Sequence, residues 1–203
     1  MDYPTISQIE QEYNHEVYKR SLTHAMRSTI YSLITIAAVA VLVAVLLLPV
    51  LQLYGTSMEP TLEEGDIVVS LKGAQFETGD VVAFYYNNRI LVKRVIANAG
   101  EWVDIAEDGT VSVNQVKLEE PYVTDLAFGE CDISLPYQVP EGRVFVMGDH
   151  RSVSVDSRST TIGCVAKEQL VGKIVFRLWP FETFGPVDGS VAVPAEMEIS
   201  PEG

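Results

Sequence analysis

Metal-binding signals are missing from this chain. His15, His24 and His150 stand far apart, and Cys131 and Cys164 form no Cys-x-x-Cys pair. Neither a metal nor another cofactor is therefore expected. Basic residues are also scarce, 14 against 28 acids, for a formal net charge of −14. That balance excludes a nucleic-acid partner, which needs a basic face to meet phosphates. Two cysteines allow one disulfide at most, and the sequence is equally compatible with two small buried apolar residues. There is no second long apolar run and no long internal repeat.

What the chain does have is 31 consecutive uncharged residues, Ser28 to Met58. Their apolar part, Ile30 to Leu51, is long enough to cross a bilayer as a helix, since about 20 residues match a hydrocarbon core of about 30 Å. Lys19, Arg20 and Arg27 lie just before it, while 24 of the 28 acids and 11 of the 14 bases follow it. The positive-inside rule then puts the N-terminus in the cytoplasm and the remainder outside the plasma membrane. A cleaved secretory signal would have a shorter apolar core and a shorter lead without acids. A retained single-pass anchor in the lipid bilayer is expected.

Four regions follow. Residues 1–27 read as a cytoplasmic tail and 28–51 as a transmembrane helix. Residues 52–185 read as an extracytoplasmic domain, and 186–203 as a disordered acidic tail. Within the domain, β-branched runs punctuated by turns predict a mainly antiparallel β fold. Asn87-Asn88 and Asp108-Gly109 mark hairpins. Further strands are predicted at Ile67–Val69, Arg143–Met147 and Gly172–Leu178, with one short helical turn at Ala166–Leu170.

Ser57 sits in a loop bounded by Gly55 and Pro60. A serine hydroxyl is a poor nucleophile without a neighbouring base. His150 is the one histidine on the same side of the predicted span. Lysine is the alternative, provided burial lowers its pKa from about 10.4. Lys93 shares a strand face with Leu91 and Val95, opposite Arg94, so it either snorkels to solvent or is buried with a lowered pKa. The run Gly148-Asp149-His150-Arg151-Ser152-Val153-Ser154-Val155-Asp156-Ser157-Arg158 follows a strand. Its acids, arginines and serines suit either a charged surface loop or a braced layer behind a reactive centre.

Ser57-Met58-Glu59-Pro60-Thr61-Leu62, Lys93-Arg94-Val95 and the Gly148–Arg158 run, in that order behind an apolar span, resemble type I signal peptidases. These are membrane-anchored serine proteases that remove signal peptides from secretory preproteins. The resemblance implies a signal-peptidase-type antiparallel β fold, with Ser57 as nucleophile and Lys93 as general base. It implies that Ser154 hydrogen-bonds the lysine amine, and that Asp156 with Arg158 and Asp149 with Arg94 hold the loop by ion pairing. The Ser57 N–H would supply one oxyanion-hole donor. Gly55 occupies the position where some members carry a second, side-chain donor, and it has none to offer. His150 stands where the family usually has asparagine. Substrates with small residues at the first and third positions before the cut are implied, with Met58, Leu62 and Val92 as pocket linings. A monomer is expected.

Two enzymatic rivals and one from another class remain. A self-cleaving repressor would share the dyad but carry a DNA-binding segment. A hydrolase could instead use His150 with Ser57 or a cysteine. A catalytically silent, membrane-anchored binding domain would have no need of Ser57, Lys93 and Ser154 together. No Ser-x-x-Lys tetrapeptide occurs, which disfavours a penicillin-interacting enzyme.

Overall fold

A computed structural model describes residues 5–187. One helix, α1 (Ile6–Leu47), is followed by twelve short strands. They are β1 (Val50–Gln52), β2 (Ile67–Leu71), β3 (Val81–Tyr86), β4 (Arg89–Ala97), β5 (Trp102–Ile105) and β6 (Val111–Val113). Then come β7 (Val116–Lys117), β8 (Tyr137–Gln138), β9 (Arg143–Met147), β10 (Val165–Ala166), β11 (Leu170–Trp179) and β12 (Gly185–Pro186). A single 3₁₀ turn at Lys167–Gln169 occupies the place of the predicted helical turn.

The helix is continuous over 42 residues, so the region expected as a separate tail is largely helical. Its C-terminal end differs from expectation. The span read from the sequence ends at Leu51, whereas the helix stops at Leu47 and Val50–Gln52 form β1. Pro49 is the reason: it has no N–H to donate, and its ring disfavours helical backbone at Leu48. The shortened uncharged stretch, residues 28–47, still measures about 30 Å at 1.5 Å per residue, enough for a hydrocarbon core.

The β unit, from Leu47 on, contains two antiparallel sheets. The larger has the order β1-β2-β11-β3-β4-β9-β10, with β12 on β11, and the smaller runs β7-β6-β5-β8. The mainly antiparallel β fold is as the sequence predicts. Asn87 and Asn88 take φ values of +44° and +65° and close the β3–β4 hairpin, as a two-residue primed turn requires. Along β3, Val81 and Ala83 pack into one core cluster while Val82 and Phe84 pack into another. Burial on both faces explains why this strand reads as an unbroken apolar run rather than an alternation. Val81 and Ala83 share their cluster with Leu53, Met58 and Leu62, so the segment after β1 is tied to the centre of the sheet. The first residues of the tail expected to be disordered from residue 186 are ordered. Gly185–Pro186 pair with β11, and the Val187 N–H donates to the Val175 carbonyl at 3.2 Å. The rest of that tail, 188–203, lies outside the described residues.

Cys131 is half-buried and Cys164 buried, and both are free thiols. Burial pushes the Cys164 thiol up to about 11, so it behaves as a small apolar core residue.

Candidate active site

Ser57 lies in the turn after β1, where Gly55 adopts φ +87°, a backbone conformation that costs glycine little. The Leu62 N–H donates to the Met58 carbonyl at 3.0 Å, winding the residues beyond Ser57 into a tight turn. Lys93 comes from the middle of β4, 4% exposed, with Nζ 2.5 Å from Ser57 Oγ. Burial is the main force on its amine and lowers its pKa from 10.5 to about 8. The Asp156 and Asp149 carboxylates oppose that shift and Arg158 adds to it. Of the two readings of Lys93, the buried one is therefore correct.

Arg94, next along β4, turns to the opposite face and is fully buried. It donates to both oxygens of Asp149, at 2.9 and 2.6 Å, and to the Gly79 carbonyl at 2.7 Å. Its guanidinium lies 3.7 Å from the centre of the Tyr122 ring. The Thr61 hydroxyl also donates to Asp149, at 2.5 Å. Asp149 thus joins the nucleophile segment to the strand that carries the base. Asp156 receives Arg158 on both oxygens at 2.9 Å and the Gly148 N–H at 3.0 Å. Arg158 donates further to the carbonyls of Phe128 at 2.8 Å and Arg151 at 2.9 Å. A third pair, Arg151 with Glu120, is also buried. Buried charges survive only when paired and hydrogen-bonded like this, so Asp149, Arg151, Asp156 and Arg158 form an interior brace, while Ser152, Val153 and Val155 of the same run face solvent.

Two expectations need correction. Ser154 is buried, but its hydroxyl has no hydrogen-bond partner, and the expected bond to Lys93 is not formed. The hydroxyl instead lies where a side chain on Gly148 would be: a Cβ built there would sit 2.3 Å from Ser154 Oγ and 2.4 Å from the Ser57 carbonyl oxygen. Leu62 is 0% exposed and packs in the core beneath the site, so it lines no cleft. The His150 N–H donates to the Ser57 carbonyl at 3.1 Å and its Nδ1 lies 3.3 Å from the Thr56 carbonyl. Those contacts are to backbone, and the ring is not hydrogen-bonded to the serine hydroxyl.

A cleft of about 520 Å³ opens beside the dyad, lined by residues 51–55, Ser57, Met58 and residues 89–93. Met58 and Val92 border it, and Gly55 does so without a side chain. Among the described residues the Ser57 N–H has no hydrogen-bond partner, so it is available to an oxygen bound in the cleft. Thr61, Tyr122, Glu120 and Gly79 complete the site, although the sequence assigns none of them a role. Only Thr61 lies within one of the three motifs. Among the described residues no group of three or more His, Cys, Asp or Glu could hold a metal. A desolvated amine against a serine hydroxyl, facing an apolar cleft, suits nucleophilic attack on a carbonyl.

The family model described as signal peptidase, peptidase S26, matches residues 26–179. Thylakoidal processing peptidase 1, chloroplastic, of Arabidopsis thaliana is 37% identical over 142 residues, which span 62% of this chain and 40% of that protein. Signal peptidase IB of Staphylococcus aureus is 39% identical over 150 residues, spanning 64% of this chain and 77% of the relative. A crystal structure of a signal peptidase I from Enterococcus faecalis aligns with a TM-score of 0.42 at 28% identity, over 49% of this chain and 97% of that one.

Proposed function

This chain belongs to the S26 signal peptidase family, serine endopeptidases that act on preproteins bearing signal peptides, and on that premise we propose that Ser57 is its nucleophile and Lys93 its general base. The observation that carries the assignment is the 2.5 Å approach of a buried Lys93 amine to the Ser57 hydroxyl. With Lys93 neutral, the Ser57 O–H donates to Nζ. Ser57 Oγ attacks the scissile carbonyl carbon while Nζ takes the proton. The resulting ammonium returns that proton to the leaving amine as the C–N bond breaks, leaving an acyl ester on Ser57. Water then attacks the ester, with Lys93 accepting its proton and passing it back to Oγ. The unpartnered Ser57 N–H would stabilise the oxyanion in both steps. Such a donor contributes about 2.7–4 kcal/mol in comparable sites.

Asp149 with Arg94 and Asp156 with Arg158 act as positioning residues, fixing the loop against the nucleophile segment and β4. Ser154 belongs with them through its contact at Gly148. Met58 and Val92 would shape a shallow apolar pocket suited to alanine-sized side chains, in keeping with an Ala-x-Ala cut. The helix would anchor the chain in the bilayer as a monomer, N-terminus in the cytoplasm and β unit outside, where an exported preprotein presents its cleavage site. The test is cleavage of a preprotein with an Ala-x-Ala site by the full chain in detergent. Ser57→Ala and Lys93→Ala should each abolish the cut while His150→Ala retains most of it. An active Lys93→Ala beside a dead His150→Ala would refute the dyad.

A further inference from the structure

Arg177 stands near the end of β11, outside the three motifs, and its guanidinium reaches the nucleophile segment. One terminal nitrogen donates to the Thr61 carbonyl at 2.5 Å, and the other lies 3.3 Å from a carboxylate oxygen of Asp66. The fork therefore grips both ends of the connection between the serine turn and β2. The strand is shaped to aim this side chain. β11 shifts register against β2 between Ile174 and Phe176 and again between Arg177 and Trp179, and such irregularities redirect the residues they enclose. β12 pairs with Phe176 and Arg177, and the Phe184 ring meets the Phe176 ring edge-on at 4.9 Å, which holds the bent stretch in place.

We propose that Arg177 is a positioning residue for the nucleophile: through the Thr61 carbonyl it sets where Ser57 Oγ sits against Lys93 Nζ. The inference rests on the Ser57–Lys93 reading. Asp149 holds Thr61 by its hydroxyl, which can turn about the side-chain bond while the backbone shifts. Arg177 holds the backbone itself, and among the described residues no main-chain N–H reaches that carbonyl. Two overlapping turns carry any movement of Thr61 back to Ser57. The Glu59 N–H donates to the Thr56 carbonyl at 3.2 Å and the Leu62 N–H to the Met58 carbonyl at 3.0 Å. Asp66, itself buried, keeps the fork from swinging away. A planar fork can hold a carbonyl and a carboxylate at once, whereas the lysine ammonium is a compact point charge on a shorter stem.

The experiment uses the full chain in detergent and a synthetic peptide with one Ala-x-Ala site. Rates are taken per folded molecule, with the folded amount read from the amplitude of the urea transition, so a loss of stability alone leaves kcat unchanged. Arg177→Met should lower kcat about ten- to a hundredfold, the scale of a misplacement of about 1 Å, with KM changed less than about twofold. Arg177→Lys should recover part of that loss, and Arg177→Gln, with a donor but no charge, should fall between lysine and methionine. Lys173→Met removes the other ion pair of β11, the 2.7 Å contact with Asp80, and should leave kcat as in wild type. If Arg177→Met does not fold, the order wild type, lysine, glutamine carries the test. Equal kcat across that series, a loss confined to KM, or an equal loss in Lys173→Met overturns the inference while the dyad stands. If wild type does not cut the peptide, or Ser57→Ala does, the dyad reading fails and this inference falls with it.

Discussion

Replacing Lys93 with methionine should make the protein more stable while removing its activity. The lysine is held in a site that lowers its pKa from 10.5 to about 8. That gap corresponds to about 3 kcal/mol of penalty on the charged form, and no solvent discount applies to a side chain only 4% exposed. Methionine is similar in length and apolar, so it escapes the penalty but forfeits the bond to Ser57 Oγ, worth about 1 kcal/mol. The net expectation at pH 7 is a gain of about 2 kcal/mol, or roughly 4–8 °C in Tm for a unit of this size. The sign of the pH dependence is fixed. Between about 8 and 10.5 the unfolded wild type binds the proton that the folded state has released, so wild-type stability rises with pH across that window. The methionine variant lacks this rise, and its advantage should vanish by pH 10.5. Urea unfolding of the full chain in detergent, followed by Trp102 and Trp179 fluorescence at several pH values, measures the difference. A variant less stable than wild type at pH 7, or an offset that ignores pH, would refute the burial argument.

Two further expectations concern the same site. Activity should follow the neutral amine, so kcat/KM rises with pH through a midpoint near 8 and only about a tenth of the limiting rate is available at pH 7. A rate-against-pH series checks this, and a limb near 6.5 would point to a histidine instead. Gly148→Ala should lower kcat/KM at least tenfold and destabilise the fold by about 1–3 kcal/mol, because its methyl would meet Ser154 Oγ at 2.3 Å and the Ser57 carbonyl at 2.4 Å. Peptide kinetics beside a urea melt give both numbers, and an active, stable variant would show that the loop does not fix the nucleophile.

Much of this architecture could be read from local signals. Asn87-Asn88, Asp108-Gly109 and the β-branched runs mark hairpins because turn chemistry acts within a few residues. The start of β1 was hidden because Val50 and Leu51 continue the apolar run of the helix, and only Pro49 separates them. The place of β11 between β2 and β3 left no local trace, since both pairings join distant segments. In the site, Ser57, Lys93 and the acid–arginine pairs fall within dense motifs. Tyr122 under Arg94 and Glu120 against Arg151 are single residues brought in by tertiary packing, and nothing nearby announces them. Leu62 is indistinguishable from a pocket residue in sequence, because a core leucine and a cleft leucine look alike until burial is known.

The position of β11 also has a consequence for biosynthesis. Residues 170–179 form the strand through which β2 and β3 are joined, the first beside the serine segment and the second paired with the lysine strand. A nascent chain that has reached residue 160 already contains the serine, the lysine and the whole acidic–arginine loop. It lacks the strand that stitches their halves of the sheet into one. Proteolytic competence thus waits until β11 has been made, and a protein cut short before that strand would carry all its chemical groups without the means to assemble them.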